Sequence, residues 1–322
     1  MAENNDQANL IEVRKKRLRI LVCIDGSDES YRGLRYAARL GRAEDADIIL
    51  LYVRPIDQGM RTGGLQVRIA RENMLNWGLD LPGVKYLKKG LDQLWDEFHM
   101  GDAWKERIAH TDVAGDPLGD NKIEYMDDEG KVIVLKLKTA PDVASGILDQ
   151  YELGPYNLII LGESGKERGF TKSFWDPAVA HKVAVHAPCS VLVARELERG
   201  RGHLICTDGS DRALEMVHKV GDIVIRLEGK VHVLSVAPDE AGRAAAEEHV
   251  EFARETLLRK HVEVTGAEVR IGDPVEQIVA AGAEHSLIAL AASAKSHFQR
   301  LFVGSVAFKV LQKAHNSVMV VR

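Results

Sequence analysis

Cysteine is scarce: there are three in 322 residues, and none has Cys-x-x-Cys spacing or a metal-ligand companion. This excludes a disulfide-stapled scaffold and a cysteine zinc site, and leaves buried small hydrophobes as the reading for Cys23, Cys189 and Cys206. Long apolar runs are missing too. None approaches the roughly 18 residues a spanning helix needs, and the polar opening MAENNDQANL is no secretory leader, so the expected setting is cytoplasmic with no membrane partner. Charge of one sign is also lacking. With 43 Lys and Arg against 48 Asp and Glu, the net charge of -5 gives nucleic acid no basic footprint to bind. No Ser-His-Asp order, HExxH or paired-carboxylate motif stands out, and the twelve histidines are scattered. What is present is an ordinary globular balance, 45% hydrophobic and 28% charged, in a chain long enough for two cores.

The chain repeats itself. KVAVHAPCSVLVAR, ending at Arg195, aligns with KVLQKAHNSVMVVR, ending at Arg322, and LRILVCIDGSDES from Leu18 aligns with HLICTDGSD from His203. Two copies of one unit decide the architecture. Asp25 and His186 are 161 positions apart, and Asp208 and His315 are 107 apart, so the first copy carries 54 extra residues.

Residues 1–17 read as a flexible tail, with Arg14 to Arg17 a solvated basic flank of the first strand. Domain 1 is expected over 18–197, with its insertion at about 54–130, and domain 2 over 201–322. Leu18 to Ile24 and Ala46 to Val53 are buried strands. The helix between them opens at Asp25-Gly26-Ser27-Asp28 and carries Leu34, Ala37, Ala38 and Gly41 inward. A strand-helix-strand unit of this kind makes a parallel sheet and an α/β fold. In the insertion, Val84 to Met100 is predicted helical, with Leu87, Leu91, Leu94, Trp95 and Phe98 on one side. The stretch from there to Asn121 reads as irregular, and Lys122 to Met126 and Lys131 to Lys138 as hairpin arms around Asp127-Asp128-Glu129-Gly130. Pro141 to Asp149 is a short helix, and Leu158 to Leu161 a core strand.

The second copy reads as five strands and four helices. Its first helix carries Leu214, Val217, Val220 and Val224; Gly272-Asp273-Pro274 opens another with Val275, Ile278 and Val279. Its last block runs from Leu287 to Ala292, through a basic loop with Lys295, His297 and Arg300, to Gly304-Ser305, a helix, and Ser317 to Arg322. A helix N-terminus directly after a buried strand offers free N–H groups to an anion.

The strand order, the aspartate closing strand one (Asp25, Asp208), Gly272-Asp273-Pro274 and the closing helix-strand block resemble the universal stress protein family in its tandem form. The resemblance implies two five-stranded parallel-sheet sandwiches with helices on both faces, of the adenine nucleotide alpha hydrolase-like kind, the first bearing a large insertion. It implies a binder of ATP, with magnesium, or of a related nucleotide that acts as a stress-response regulator, at most a weak ATPase. In nucleotide-binding members the loop after strand four reads G-x2-G-x9-G-[S/T] and wraps the phosphates, the strand-one Asp lies near adenine, and strand two ends beside the ribose. Copy one keeps Gly162 and Gly165 but has Pro177-Ala178 for the Gly-Ser pair, and Asp176 would occupy and repel at the phosphate position. Copy two keeps Gly304-Ser305 but has Ala291 and Ala294 for the glycines. A nucleotide is therefore expected in copy two, at Thr207, Asp208, Val236, Ala291, Ala294, Lys295, Gly304, Ser305 and Val306. Asp25, Val53, Gly162 and Gly165 are the lesser candidates in copy one.

Bracing the turn after strand one is the alternative role for Asp25 and Asp208, as helix capping is for Ser305. The family pattern also implies Val191 to Ala194 paired with Val318 to Val321, an internal pseudo-dimer that leaves a further homodimer open. The rival function is a nucleotide-free scaffold that binds a protein partner, unidentified by sequence, through the domain 1 insertion.

Overall fold

The structure, a computed structural model, describes residues 17–43, 46–56, 82–98, 104–113, 116–152, 156–163, 177–195, 201–226, 229–292 and 305–322. The expected tail at 1–16 lies outside these residues. The chain divides into two compact units, Met1–Asn157 and Leu158–Arg322.

The first unit holds β1 (Leu18–Cys23), α1 (Asp28–Ala43), β2 (Ala46–Pro55), α2 (Pro82–Phe98), β3 (Lys105–Val113), β4 (Asp116–Met126), β5 (Val132–Ala140) and α3 (Val143–Glu152). Its strands run in the order β1-β2-β5-β4-β3. β1, β2 and β5 are parallel, and β4 and β3 follow antiparallel. Eight of the ten β2 residues are buried, as a strand covered on both faces requires. Ser27 accepts the Ser30 N–H at 3.2 Å and so caps α1, whose Leu34, Ala37 and Ala38 turn into the core. Asp127 makes the β4–β5 turn: its Oδ1 accepts the N–H of Glu129 at 3.0 Å and of Lys131 at 2.8 Å.

Three local expectations are corrected here. The stretch expected to be irregular before Asn121 contains β3 and the start of β4, a strand pair whose outer member is exposed on both faces and so has no hydrophobic alternation to read. Trp95, expected on the same side of this helix as Leu91 and Leu94, is 38% exposed where those two are buried. Arg17 is buried, not solvated: it donates to the Glu129 carbonyl at 2.7 Å and lies 3.8 Å from the buried Asp47 carboxylate.

Lys122 and Lys136 stand directly opposite each other on β4 and β5, where like charges repel. Lys122 is paired with Glu124 and Lys138 with Asp120. Burial, with the Lys138 ammonium next, lowers the Lys136 amine from 10.5 to about 8. The folded state thus disfavours a charge that the unfolded chain keeps. The penalty is fully present below about pH 8 and fades as pH climbs toward 10.5, because the folded protein then sheds the proton first. Lys136→Met is expected to stabilise the protein by about 1 kcal/mol at neutral pH, after allowance for the part of the side chain in water, and by less at alkaline pH. Urea midpoints of both proteins at about pH 7 and about pH 9.5 check this; a gain that grows with pH contradicts it.

The second unit holds β6 (Leu158–Gly162), α4 (Pro177–His186), β7 (Ser190–Ala194), β8 (His203–Cys206), α5 (Asp211–Arg226), β9 (Val231–Ala237), α6 (Arg243–Arg259), β10 (Val264–Ile271), α7 (Pro274–Gly282), β11 (Leu287–Ala291), α8 (Ser305–Lys313) and β12 (Ser317–Val321), with a 3-10 turn at Glu240–Gly242. The strand order is β10-β9-β8-β11-β12-β7-β6. All neighbours are parallel except β12 and β7, which pair antiparallel with Val318 opposite Val193 and Val320 opposite Val191. This is the expected pairing of the two closing strands. Asp273 caps α7 by accepting the Glu276 N–H at 3.0 Å, with Pro274 at the first helical position. On α5 the buried stripe is Ala213, Met216, Val217, Val220 and Val224, while Leu214 is only half-buried. All three cysteines are free and buried, and burial pushes the Cys189 thiol up to about 11, far from thiolate chemistry.

Candidate functional site

In the second unit the chain leaves β8, lays down β9 and β10 on one side, then crosses to place β11 and β12 on the other. The direction of winding reverses between β8 and β11. In open parallel sheets the crevice outside the carboxyl ends of two such strands is where ligands bind, because the two following loops diverge there and leave a gap. Thr207 stands at the end of β8, Val236 near the end of β9, and Ala291 at the end of β11. Since β8 lies between β9 and β11, the sheet brings these three candidates to one rim.

Each residue of that rim is held by local chemistry. The Thr207 N–H donates to the Leu234 carbonyl at 2.9 Å, extending the ladder one residue past β8. Gly209 then turns the chain at φ +71°, a conformation an L side chain adopts only with strain. The His249 ring of α6 packs directly on it, where a Cβ would sit. Asp208 Oδ1 accepts from the N–H of Ser210 at 3.1 Å and from its hydroxyl, and Ser210 in turn accepts the Ala213 N–H at 3.3 Å to cap α5. The bracing role weighed for Asp208 is thus occupied, though the residue is exposed and, among the described residues, its Oδ2 accepts no hydrogen bond. Ser305 is the first residue of α8 and exposed, and Val306 is half-buried behind it. No acidic side chain lies in the first turn of α8. Ala294, Lys295 and Gly304 lie outside the described residues.

One residue here escaped the sequence reading. Arg212, in the first turn of α5, points its guanidinium across the rim to the Ala292 carbonyl, 3.5 Å away. A basic residue at the second position of a helix reads as an ordinary surface charge until strand order carries β11 beside β8.

In the first unit the equivalent positions are more enclosed. Asp25 Oδ1 accepts from the N–H of Ser27 at 2.9 Å and from its hydroxyl, the same brace as at Asp208. Gly26, at φ +89°, is covered by the Tyr86 ring of α2 as Gly209 is covered by His249. Tyr52 lies 5.9 Å from Tyr86, centroid to centroid, and the Tyr31 hydroxyl donates to the Tyr86 carbonyl at 3.1 Å. Burial, with the nearby Asp25 carboxylate, pushes the Tyr31 phenol up to about 12, so it stays a neutral donor. Val53 is buried against Gly146 of α3, whereas Val236 is half-buried. Gly162 ends β6, in the second unit, and is buried; Gly165 and Asp176 lie outside the described residues.

Comparison with known proteins agrees with this architecture. A universal stress protein from Pseudomonas aeruginosa is similar over 95% of this chain and 93% of its own, at 14% identity and a TM-score of 0.58. One from Archaeoglobus fulgidus is similar over 94% of this chain and 98% of its own, at 17% identity and a TM-score of 0.55. A shorter A. fulgidus universal stress protein, solved in complex with dAMP, covers 38% of this chain and 97% of its own, at 20% identity and a TM-score of 0.32. A search of curated proteins returned no significant match. The family model for universal stress proteins matches residues 16–72 and 203–322, more than half of the sequence and both copies of the repeat. The chain belongs to the universal stress protein family.

Proposed function

We propose that this universal stress protein binds ATP or a related nucleotide in the crevice beyond β8 and β11, and that it acts as a stress-response regulator rather than a dedicated enzyme. The observation that supports the reading is the reversal of winding between β8 and β11, which sets the ends of these two strands side by side, with the Arg212 guanidinium reaching from one to the Ala292 carbonyl of the other. Asp208 offers an acceptor to an exocyclic amine of a base, and Val236 an apolar wall. Arg212 and the first N–H groups of α8 at Ser305 offer donors to a phosphoryl group. Ala294, Lys295 and Gly304 complete the proposed phosphate side. Magnesium, if carried in, arrives on the phosphates; no cluster of three or more His, Cys, Asp or Glu among the described residues forms a site of its own. The two copies, 18–197 and 201–322, divide the work: the Tyr86 ring over Gly26 and the buried Val53 leave copy one a structural role.

A thermal-shift titration with ATP and magnesium, with AMP as a second ligand, tests the proposal. At about a hundred times its dissociation constant a ligand adds about 2.7 kcal/mol of stability, an easily read shift. Arg212→Glu should abolish most of that shift, and Asp25→Asn should leave it intact. No shift with either nucleotide sinks the reading and leaves the scaffold that meets a protein partner through its insertion.

A further inference from the structure

We propose that the outer edge of β3 is the contact surface for a second copy of this chain, the two β3 strands pairing antiparallel about Ile108. Among the described residues β3 ends the sheet of the first unit, and every residue from Lys105 to Thr111 is exposed. At its centre Ile108 is 68% exposed. A protected edge carries charge or proline at its middle; this one carries a β-branched aliphatic. The register shows where that side chain belongs. Val22, Leu50, Leu135, Ile123 and Ile108 face one another strand by strand and so form one row on one face of the sheet. The first three are buried, with Leu50 lying against Gly90 of α2, and the row runs on past the helix to its uncovered end at Ile108. Beside that end Trp95 meets Tyr125 edge-on, 6.5 Å between centroids, and remains partly exposed.

A second copy is the occupant this edge fits, because the strand is complementary to itself. With the two-fold axis at Ile108, Ile108 meets its own copy and the apolar row continues without a break into the second molecule. On the same face Glu106 comes opposite His110 of the second copy, twice, by symmetry. On the other face Lys105 meets Thr111, and Arg107 meets Ala109, so no like charges are apposed. Moving the axis to Arg107 would set two guanidiniums against each other.

Sedimentation velocity of the full chain over about 1–100 µM tests this. The wild type should show a reversible dimer, and Ile108→Lys should raise its dissociation constant at least about thirty-fold, as loss of a central anchor does. Being at an exposed position, the lysine should leave the far-UV spectrum unchanged. Ile108→Cys should give a disulfide-linked dimer on mild oxidation, since the axis places the two thiols together and the three native cysteines are buried. A monomer across the whole range, a dimer indifferent to Ile108→Lys, or no cross-link at position 108 would each overturn the proposal.

Discussion

Arg195→Ala should lower stability by about 3–5 kcal/mol, because it strands a buried carboxylate. Arg195 follows β7 and is 3% exposed. Its guanidinium donates to Glu163 Oε2 at 2.8 Å and to the carbonyls of Leu311 at 2.6 Å, Ala314 at 2.9 Å and Asn316 at 3.3 Å. It therefore closes the C-terminal end of α8, where orphan carbonyls and the negative end of the dipole favour a cation. The repeat supplies the counterpart. Arg322, at the equivalent place after β12, donates to the carbonyls of Ala184 at 2.7 Å, Val185 at 3.0 Å and Cys189 at 3.3 Å, and so closes α4. The serines exchange likewise: Arg195 N–H donates to Ser317 at 3.0 Å, and Arg322 N–H to Ser190 at 3.2 Å. Each copy thus finishes the last helix of the other. The two arginines should nonetheless differ in weight, since among the described residues Arg322 pairs with no side-chain carboxylate, and Arg322→Ala should cost only about 1–3 kcal/mol. Adding Glu163→Gln to Arg195→Ala should recover a good part of the loss. Urea denaturation of the four proteins measures this, and equal costs for the two arginines would contradict the assignment.

Val320→Asp should cost more than about 4 kcal/mol, the range reserved for an unpaired charge in a core. Val320 is wholly buried in β12, opposite Leu290 on one side and Val191 on the other. A carboxylate there finds no donor, because the backbone N–H groups are spent in the two ladders. Val320→Thr, nearly the same shape with one hydroxyl, should cost much less. The expected readout is a lowered urea midpoint together with new early cleavage near the β7–β12 pair in limited proteolysis. A Val320→Asp protein with the wild-type digestion pattern would show that this pair does not hold the two closing strands together.

What the sequence determined by itself was whatever rests on neighbours along the chain. Buried strands show as unbroken runs such as Ile48 to Val53, and Ser27 and Asp273 as caps. The β4–β5 turn shows at Asp127, and the repeat shows by alignment of Arg195 with Arg322. From these the fold class and the family resemblance were legible, and the resemblance in turn implied the β7–β12 pairing. The aspartates of the two turns were legible only as a choice between ligand and brace, and the structure shows one carboxylate oxygen of each engaged by the serine two residues on. Other features needed the tertiary structure. β3 has no periodicity because neither of its faces is buried, so its side chains carry no record of a strand. Arg17 reads as the end of a basic cluster until Asp47 and Glu129 are brought to it. The exchange of Arg195 and Arg322 joins residues 116 to 138 positions apart, and Arg212 reaches Ala292 from 80 positions away. Local sequence sets backbone propensity and which face is apolar; which charged groups lose their water, and to whom, follows from strand order alone.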